Sequence, residues 1–271
     1  MNLEIWNNLP SYVSPSFSLL GFFNIHFYSL AYILGFLAVV ILSKKYIKDN
    51  KLEVGLSNKE YEDVLLNAFI MAVIGGRTFY VLFYNLDYFL ANPLQIIWPF
   101  NALGEFTGLS GMSFHGGLFF TFVYLLYIVK KKRINITAFQ EAFVPYIPIA
   151  FFLGRIANFM NGELYGRPTQ SVIGMYFDGI LRHPSQLYEA FLEGIVLFLI
   201  LLFIRKSEFK NYLGVFLVAF YVLFRFIVEF FREPDVQLGL FYGFSMGQIL
   251  SVLCISLIGF FVYTKKAIDK N

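Results

Sequence analysis

Three arginines, Arg77, Arg155 and Arg225, stand inside long and otherwise apolar runs of the chain. An ionisable side chain at membrane depth is costly and needs either a partner or a function. A guanidinium is permanently charged and offers paired donors that match a phosphate or a carboxylate. Two readings follow from spacing alone. In the first, the arginines pair carboxylates between helices: Arg225 and Glu229 stand at i,i+4, and Glu189 and Glu193 are stacked in the same way. In the second, the arginines serve an anionic ligand such as a lipid phosphate.

The stretch from Gly154 to Arg167, GRIANFMNGELYGR, is the most polar passage at the edge of an apolar run. Arg155 and Asn158 share a helix face at i,i+3, and Asn161 and Glu163 follow where the helix should unwind over Gly162. A plain turn accounts for the Asn and Gly content but not for the arginine. Ser113-Phe114-His115-Gly116-Gly117 opens another run with a histidine able to titrate near neutral pH, beside glycines that permit close approach. Arg182-His183-Pro184-Ser185 precedes a third, where Ser185 is positioned to cap the helix while Arg182 and His183 reach toward a site. Two motifs are declined. Gly243 to Gly247 matches G-x-S-x-G, but a nucleophile elbow needs a strand before it and a sheet around it; Ser245 reads instead as a helix cap. His26, His115 and His183 include no H-E-x-x-H pair, so no metal is expected.

The elements that must position these residues are membrane helices. The 271 residues are 58% hydrophobic and only 14% charged, against about 25% charged in ordinary soluble domains. Runs of about 20 apolar residues, enough to cross ~30 Å of hydrocarbon as helix, recur along the chain. They predict an all-α integral membrane protein, a single polytopic domain over 1–271 with seven spans near 22–43, 64–84, 114–129, 139–160, 186–204, 212–231 and 246–263. The N-terminus has no basic region before its first apolar stretch, so the first span is expected to be permanent rather than a cleaved signal. Cys254 is the one thiol and reads as a small buried hydrophobe.

Segments 44–59, 130–138, 205–211 and 264–271 hold 15 Lys and Arg, while the opposite connections hold three, Arg167, Arg182 and Arg232. The positive-inside rule then places the N-terminus outside and the C-terminus in the cytoplasm. The same rule explains the basic clusters and the formal charge of +3 without any nucleic-acid partner. Residues 85–113 read as an interfacial segment and 161–185 as a small external cap. In this topology all three intramembrane arginines and all three histidines fall toward the outer leaflet. That shared depth favours an anionic outer-leaflet lipid over static pairing.

The ordered motifs resemble those of the bacterial prolipoprotein diacylglyceryl transferases through nearly the whole chain. They are His26-Phe27-Tyr28, Gly75-Gly76-Arg77, Phe114 to Leu118, Gly154 to Gly166, Arg182 to Glu189, Arg225 to Pro234 and Ser245 to Gln248. One departure is Ala157, where the signature commonly has glycine, and the external segment before Arg182 is short. The resemblance implies transfer of the diacylglyceryl group of phosphatidylglycerol to the lipobox cysteine of a preprolipoprotein, with a thioether formed and glycerol phosphate released. It places the enzyme in the bacterial inner membrane and implies no cofactor. It also implies that Arg155 holds the headgroup, Arg225 the phosphate, and that Glu229 positions Arg225. His115 is the favoured base, with Glu163 as the alternative; Asn158, Glu163 and Tyr28 orient groups, and Arg77 and Arg182 are further substrate-binding candidates. The competing reading is an anionic-lipid transporter or flippase, disfavoured because the inner halves of the spans offer little beyond Glu141.

Overall fold

The computed structural model describes residues 3–19, 23–99, 111–234, 240–241, 243–245, 247–249 and 251–256. Among them, five helical runs are long and apolar enough to cross a membrane: Phe27–Asn50, Asn58–Tyr84, Ile136–Met160, Ser185–Arg205 and Glu208–Val228. They establish a multi-pass α-helical membrane protein. The expected third span coincides with a helix, Phe114–Lys132, that ends in three lysines and is not one of the five. Half of the expected seventh, 246–263, lies outside the described residues; its described half, 247–249 and 251–256, is helical. Cys254 and its neighbours Val252 and Leu253 are exposed on that helix, so the thiol is not the buried hydrophobe expected. An apolar run in a membrane helix has a lipid face as well as a packed one, and sequence alone does not separate them.

The chain packs as two compact units, residues 51–139 and the remainder. The larger unit, residues 1–50 and 140–271, begins with α1 (Leu3–Asn7), the hairpin β1 (Ser16–Leu19) and β2 (Phe23–His26), and the long helix α2 (Phe27–Asn50). After residue 139 it continues with α6 (Ile136–Phe143, begun in the other unit), α7 (Ile147–Met160), the hairpin β3 (Met175–Phe177) and β4 (Ile180–Arg182), α8 (Ser185–Glu189), α9 (Leu197–Arg205) and α10 (Leu213–Val228). A last hairpin, β5 (Leu240–Phe241) and β6 (Phe244–Ser245), precedes the final helical residues. The unit of residues 51–139 contains α3 (Asn58–Tyr84), α4 (Leu86–Ala91) and α5 (Phe114–Lys132).

In that smaller unit, α3 starts on a capping box: Glu60 N–H donates to Ser57 Oγ at 3.3 Å, and Ser57 N–H donates back to Glu60 Oε2 at 3.0 Å. Helices α3 and α5 then cross at backbone contact. A Cβ at Gly75 would run into the Gly116 carbonyl and Phe120, and one at Gly116 would run into the Gly75 carbonyl and Phe79. Small residues let helix backbones approach where apolar burial alone supplies no driving force.

In the larger unit α2 lies along α7, with Gly35 against Ala150. Val144, Leu197, Leu201, Ile204, Leu213 and Phe224 form its buried core. At one end Glu141 is buried and paired, accepting from Tyr46 Oη at 2.9 Å and lying 3.1 Å from Lys210 Nζ. Beside it Arg205 stacks over the Tyr46 ring at 3.9 Å. At the other end, β3 and β4 are joined by Asp178 and Gly179, both at positive φ, the geometry a two-residue hairpin requires. Met175 and Phe177 of this hairpin pack with Phe159 beneath Trp6, Leu9 and Leu187. Trp6 Nε1 donates to the Ile173 carbonyl at 3.2 Å, tying α1 to the hairpin. Residues 161–185 therefore contain a small folded β element, within the segment expected to form a cap.

Candidate active site

Helix α7 ends at Met160, and the chain turns through Gly162 at φ +64°. This turn sends Glu163 back over the last turn of α7. Its Oε1 accepts from Asn158 Nδ2 at 2.8 Å and from the Tyr28 hydroxyl, and Asn158 Nδ2 also reaches the Tyr28 oxygen. Tyr28, Asn158 and Glu163, three candidates separated by up to 135 residues, thus form one hydrogen-bonded cluster. The loop is pinned from below by α8. Gln186, fully buried, donates through Nε2 to the Glu163 carbonyl at 2.6 Å, and Ser185 Oγ donates to the Leu164 carbonyl at 2.9 Å. Ser185 makes no side-chain cap for its own helix, contrary to the expectation; its hydroxyl faces the incoming loop instead.

One face-turn earlier on α7, Arg155 points at α8 and the residues that follow it. Its Nε and Nη2 donate to Glu193 Oε2 at 3.1 and 3.0 Å, and Nη1 lies 3.2 Å from Glu189 Oε2. Between α8 and α9 the run passes through seven residues of π-helix, Ala190–Val196. Such wide turns occur mostly as local insertions and often at functional sites. Gly194 lets this stretch touch α7, since a Cβ there would stand 2.7 Å from Phe152 Cβ, and Glu193 next to it meets Arg155.

From α10, Arg225 adds a pair to Glu189 Oε1 through Nη1 and another to Glu229 Oε2 through Nη2 at 2.9 Å. Arg232 Nη1 reaches Glu189 Oε1 at 3.3 Å. The cluster therefore contains three arginines and three glutamates, with Glu189 and Glu193 at 0% exposure and Arg155 and Arg225 at 17% and 19%. Two of its contacts, Arg155 Nη1 to Glu189 Oε2 and Arg225 Nη2 to Glu229 Oε2, are charge contacts without aligned hydrogen bonds. Glu229 is further enclosed by Gly247, whose Cβ would lie 2.9 Å from the carboxylate. There Gln248 N–H donates to Ser245 Oγ at 3.2 Å, the helix cap expected in place of a nucleophile elbow.

The Gly166-Arg167 segment ties the turn after α7 to α10. Gly166 N–H donates to the His183 carbonyl and Arg167 N–H to the Phe231 carbonyl, both at 2.8 Å. A side chain on Gly166 would collide with the Phe231 carbonyl and stand 2.6 Å from that of His183. Arg182 donates to Glu233 at 2.6 Å and to the Gly166 carbonyl at 3.2 Å, and lies over the Tyr165 ring. Tyr165 donates to Asp178 at 2.8 Å, which holds its pKa above the ordinary phenol value. His183 lies against Phe231 and Tyr188, and burial pushes its pKa down.

His115 and Arg77 belong to the unit of residues 51–139. His115 stands exposed in the first turn of α5, behind the Ser113 cap. The Arg77 guanidinium donates to three carbonyls, Ile96 at 2.8 Å, Gln95 at 2.6 Å and Gly111 at 3.1 Å, and packs over Phe89. It thereby fastens the segment after α4 while bordering a cleft lined by Tyr80, Asn85, Tyr88 and Gln95.

Sequence reasoning weighed Glu189 and Glu193 only as partners and left Arg232 among loop residues. The local spacing was informative for one pair: Arg225 and Glu229 share a face at the end of α10 at i and i+4, while Arg232 lies in the turn beyond it. No spacing rule brings that face to Arg155, because the meeting is made by the fold.

The family model of prolipoprotein diacylglyceryl transferases matches residues 15–264. Among curated relatives, the phosphatidylglycerol–prolipoprotein diacylglyceryl transferase of Chlorobaculum tepidum is 44% identical, covering 96% of this chain and 93% of its own. The proteins of the same name from Campylobacter hominis and Geobacter sulfurreducens are 40% and 44% identical, covering 97% and 89% of this chain and 94% and 90% of theirs. This chain belongs to the prolipoprotein diacylglyceryl transferase family.

Proposed function

We propose that the chain transfers the diacylglyceryl group of phosphatidylglycerol to the lipobox cysteine of a preprolipoprotein, forming a thioether and releasing glycerol phosphate. In this reaction the cysteine sulfur attacks the glyceryl carbon that bears the phosphate, the carbon–oxygen bond breaks, and the phosphate leaves with the electron pair. The thiol proton passes to a base, because a thiol with pKa near 8.5 is mostly protonated at neutral pH. The observation that carries the reading is the convergence of Arg155, Arg225 and Arg232 on Glu189, beside the Tyr28–Asn158–Glu163 cluster. Arginines held in fixed positions before the reaction stabilise a developing phosphate charge without reorganising.

In this scheme Arg155 binds the headgroup and Arg225 the phosphate, with Glu229 positioning Arg225. Tyr28 and Asn158 orient Glu163, and His115 is the base, Glu163 being the other candidate. Arg182 and Arg77 border the substrates. The whole chain forms one polytopic domain of the bacterial inner membrane, with seven spans, the N-terminus outside, 161–185 as an external cap and the site toward the outer leaflet. The excess of Lys and Arg in the connections assigned to the cytoplasm supports that orientation. The substrates are a lipid and a signal-peptide segment; no nucleic acid takes part.

The test is mass spectrometry of a lipobox peptide incubated with purified protein and phosphatidylglycerol, comparing wild type with Arg155→Ala. A diacylglyceryl mass on the cysteine in wild type, lost in the variant, is expected. Folded wild type that leaves the peptide unmodified but scrambles lipid would return the problem to a transporter. In the same assay His115→Asn is expected to reduce turnover more than lipid binding; wild-type turnover would remove His115 from the mechanism.

A further inference from the structure

Among the described residues, the arginine cluster is balanced in charge before any lipid arrives. Arg155, Arg225 and Arg232 face Glu189, Glu193 and Glu229, three charges of each sign. A phosphodiester is a permanent anion at neutral pH, so its entry leaves the buried cluster with one uncompensated negative charge. Low-dielectric surroundings make such an excess far more costly than it is in water. Protonating one carboxylate removes it.

Glu193 is the carboxylate built to take that proton. It is fully buried, and both of its hydrogen bonds from Arg155 go to Oε2. Oε1 is buried and has no hydrogen-bond partner among the described residues. A proton placed there breaks no existing bond. Glu189 and Glu229 also each have an oxygen without a hydrogen bond, Oε2 in both, but these lie 3.2 Å from Arg155 Nη1 and 2.9 Å from Arg225 Nη2, so a proton there would oppose a guanidinium. Glu189 Oε1 receives both Arg225 and Arg232. Glu229 is held by Arg225 and enclosed by Gly247. The groups facing Glu193 are Arg155 from α7, Glu189 from α8, and Arg225 and Tyr221 from α10; α9 brings only apolar residues until Arg205 at its far end. Glu189 closes α8 and Glu193 lies in the π-helical turn that follows, and both face the Arg155 guanidinium.

We propose that Glu193 takes up one proton when the lipid phosphate enters, so that phosphatidylglycerol binding is coupled to protonation of Glu193 on Oε1. The proton comes from water and returns when the phosphate departs. The proposal rests on the reading that this cluster holds the lipid phosphate. It makes Glu193 a positioning residue, acting on substrate through Arg155.

Calorimetric titration of short-chain phosphatidylglycerol into detergent-solubilised protein, in buffers of different ionisation enthalpy, counts the protons. Wild type is expected to take up one proton per lipid, with affinity strengthening by up to about tenfold for each unit of falling pH over the titrating range. Glu193→Gln, already neutral, is expected to bind with no proton uptake and no such pH dependence. Infrared difference spectra of wild type with an ether-linked phosphatidylglycerol, which has no ester carbonyl, should show a protonated-carboxyl band; they decide the matter should the variant fail to fold. Lipid binding to wild type without proton uptake or that band overturns the coupling and leaves the arginine site standing. Uptake that persists in Glu193→Gln overturns the assignment to Glu193. Failure of folded wild type to bind the lipid overturns the arginine site itself, and the coupling with it.

Discussion

Replacing Glu189 by glutamine removes the charge on which three guanidiniums converge while keeping the side-chain shape. Arg155 Nη1 at 3.2 Å and Arg232 Nη1 at 3.3 Å each interact with that carboxylate by roughly 5 kcal/mol at an effective dielectric near 20, and Arg225 is at least as close. Most of this gross attraction offsets the cost of burying the ions. The measured quantity is what remains when one partner is removed, about 3–5 kcal/mol for a buried pair. At roughly 2–4 °C per kcal/mol for a chain of this size, melting in detergent should fall by about 10 °C. The kinetic consequence is separate. The cluster becomes one unit more positive, so affinity for an anionic lipid should hold or tighten. Arg155 and Arg225 lose their common anchor, however, and a loss of about 3 kcal/mol of transition-state stabilisation lowers turnover by roughly a hundredfold. The assay is initial rate of peptide diacylglycerylation against lipid concentration, beside melting of the same preparation. Wild-type melting and wild-type turnover together would refute the view that Glu189 organises the arginines. A variant that melts normally but binds lipid much more weakly would refute the charge balance.

Gly166→Ala should cost about 1–3 kcal/mol or more, because the new Cβ meets carbonyls on two sides and the backbone hydrogen bonds to His183 and Phe231 prevent it from yielding; unchanged melting would show that the segment can move. Tyr28→Phe keeps the ring against Tyr32 but removes the hydroxyl from Glu163. A hydrogen bond to a charged group contributes about 1.5–3 kcal/mol, so turnover should fall by roughly tenfold to a hundredfold if Glu163 must be oriented, and rates equal to wild type would separate Tyr28 from the chemistry. Burial lowers the His183 pKa from 6.5, so the folded protein prefers the neutral ring. The unfolded chain then binds more protons in that window, and the contribution is complete above pH 6.5 and is lost as pH falls toward the folded value. Melting of wild type should therefore decline with acidification more than that of His183→Gln; parallel curves would remove His183 as the cause.

The sequence by itself determined the class of the protein and the neighbourhood of its chemistry. Hydrophobic runs must be helices in a membrane because no other open structure satisfies the backbone there. A lone arginine in such a run advertises a partner or a ligand, and Arg155, Asn158 and Glu163 share a short stretch whose turn at Gly162 is legible from its glycine. The Arg225–Glu229 pair was likewise readable, being local at i,i+4. Asp178-Gly179 carries the signal for the β3–β4 hairpin, but a three-residue strand is too short to stand out beside 20-residue helices. Which residues meet was decided by the tertiary structure. Tyr28 reaches Glu163 across 135 residues, and Glu189 gathers arginines from α7, α10 and the turn beyond it. The close approach of Gly194 to Phe152, and the π-helical turn around it, set Glu193 on Arg155. Charge and periodicity are properties of a chain and can be read along it; pairing in a buried site depends on which faces the packing brings together, and no local spacing encodes that.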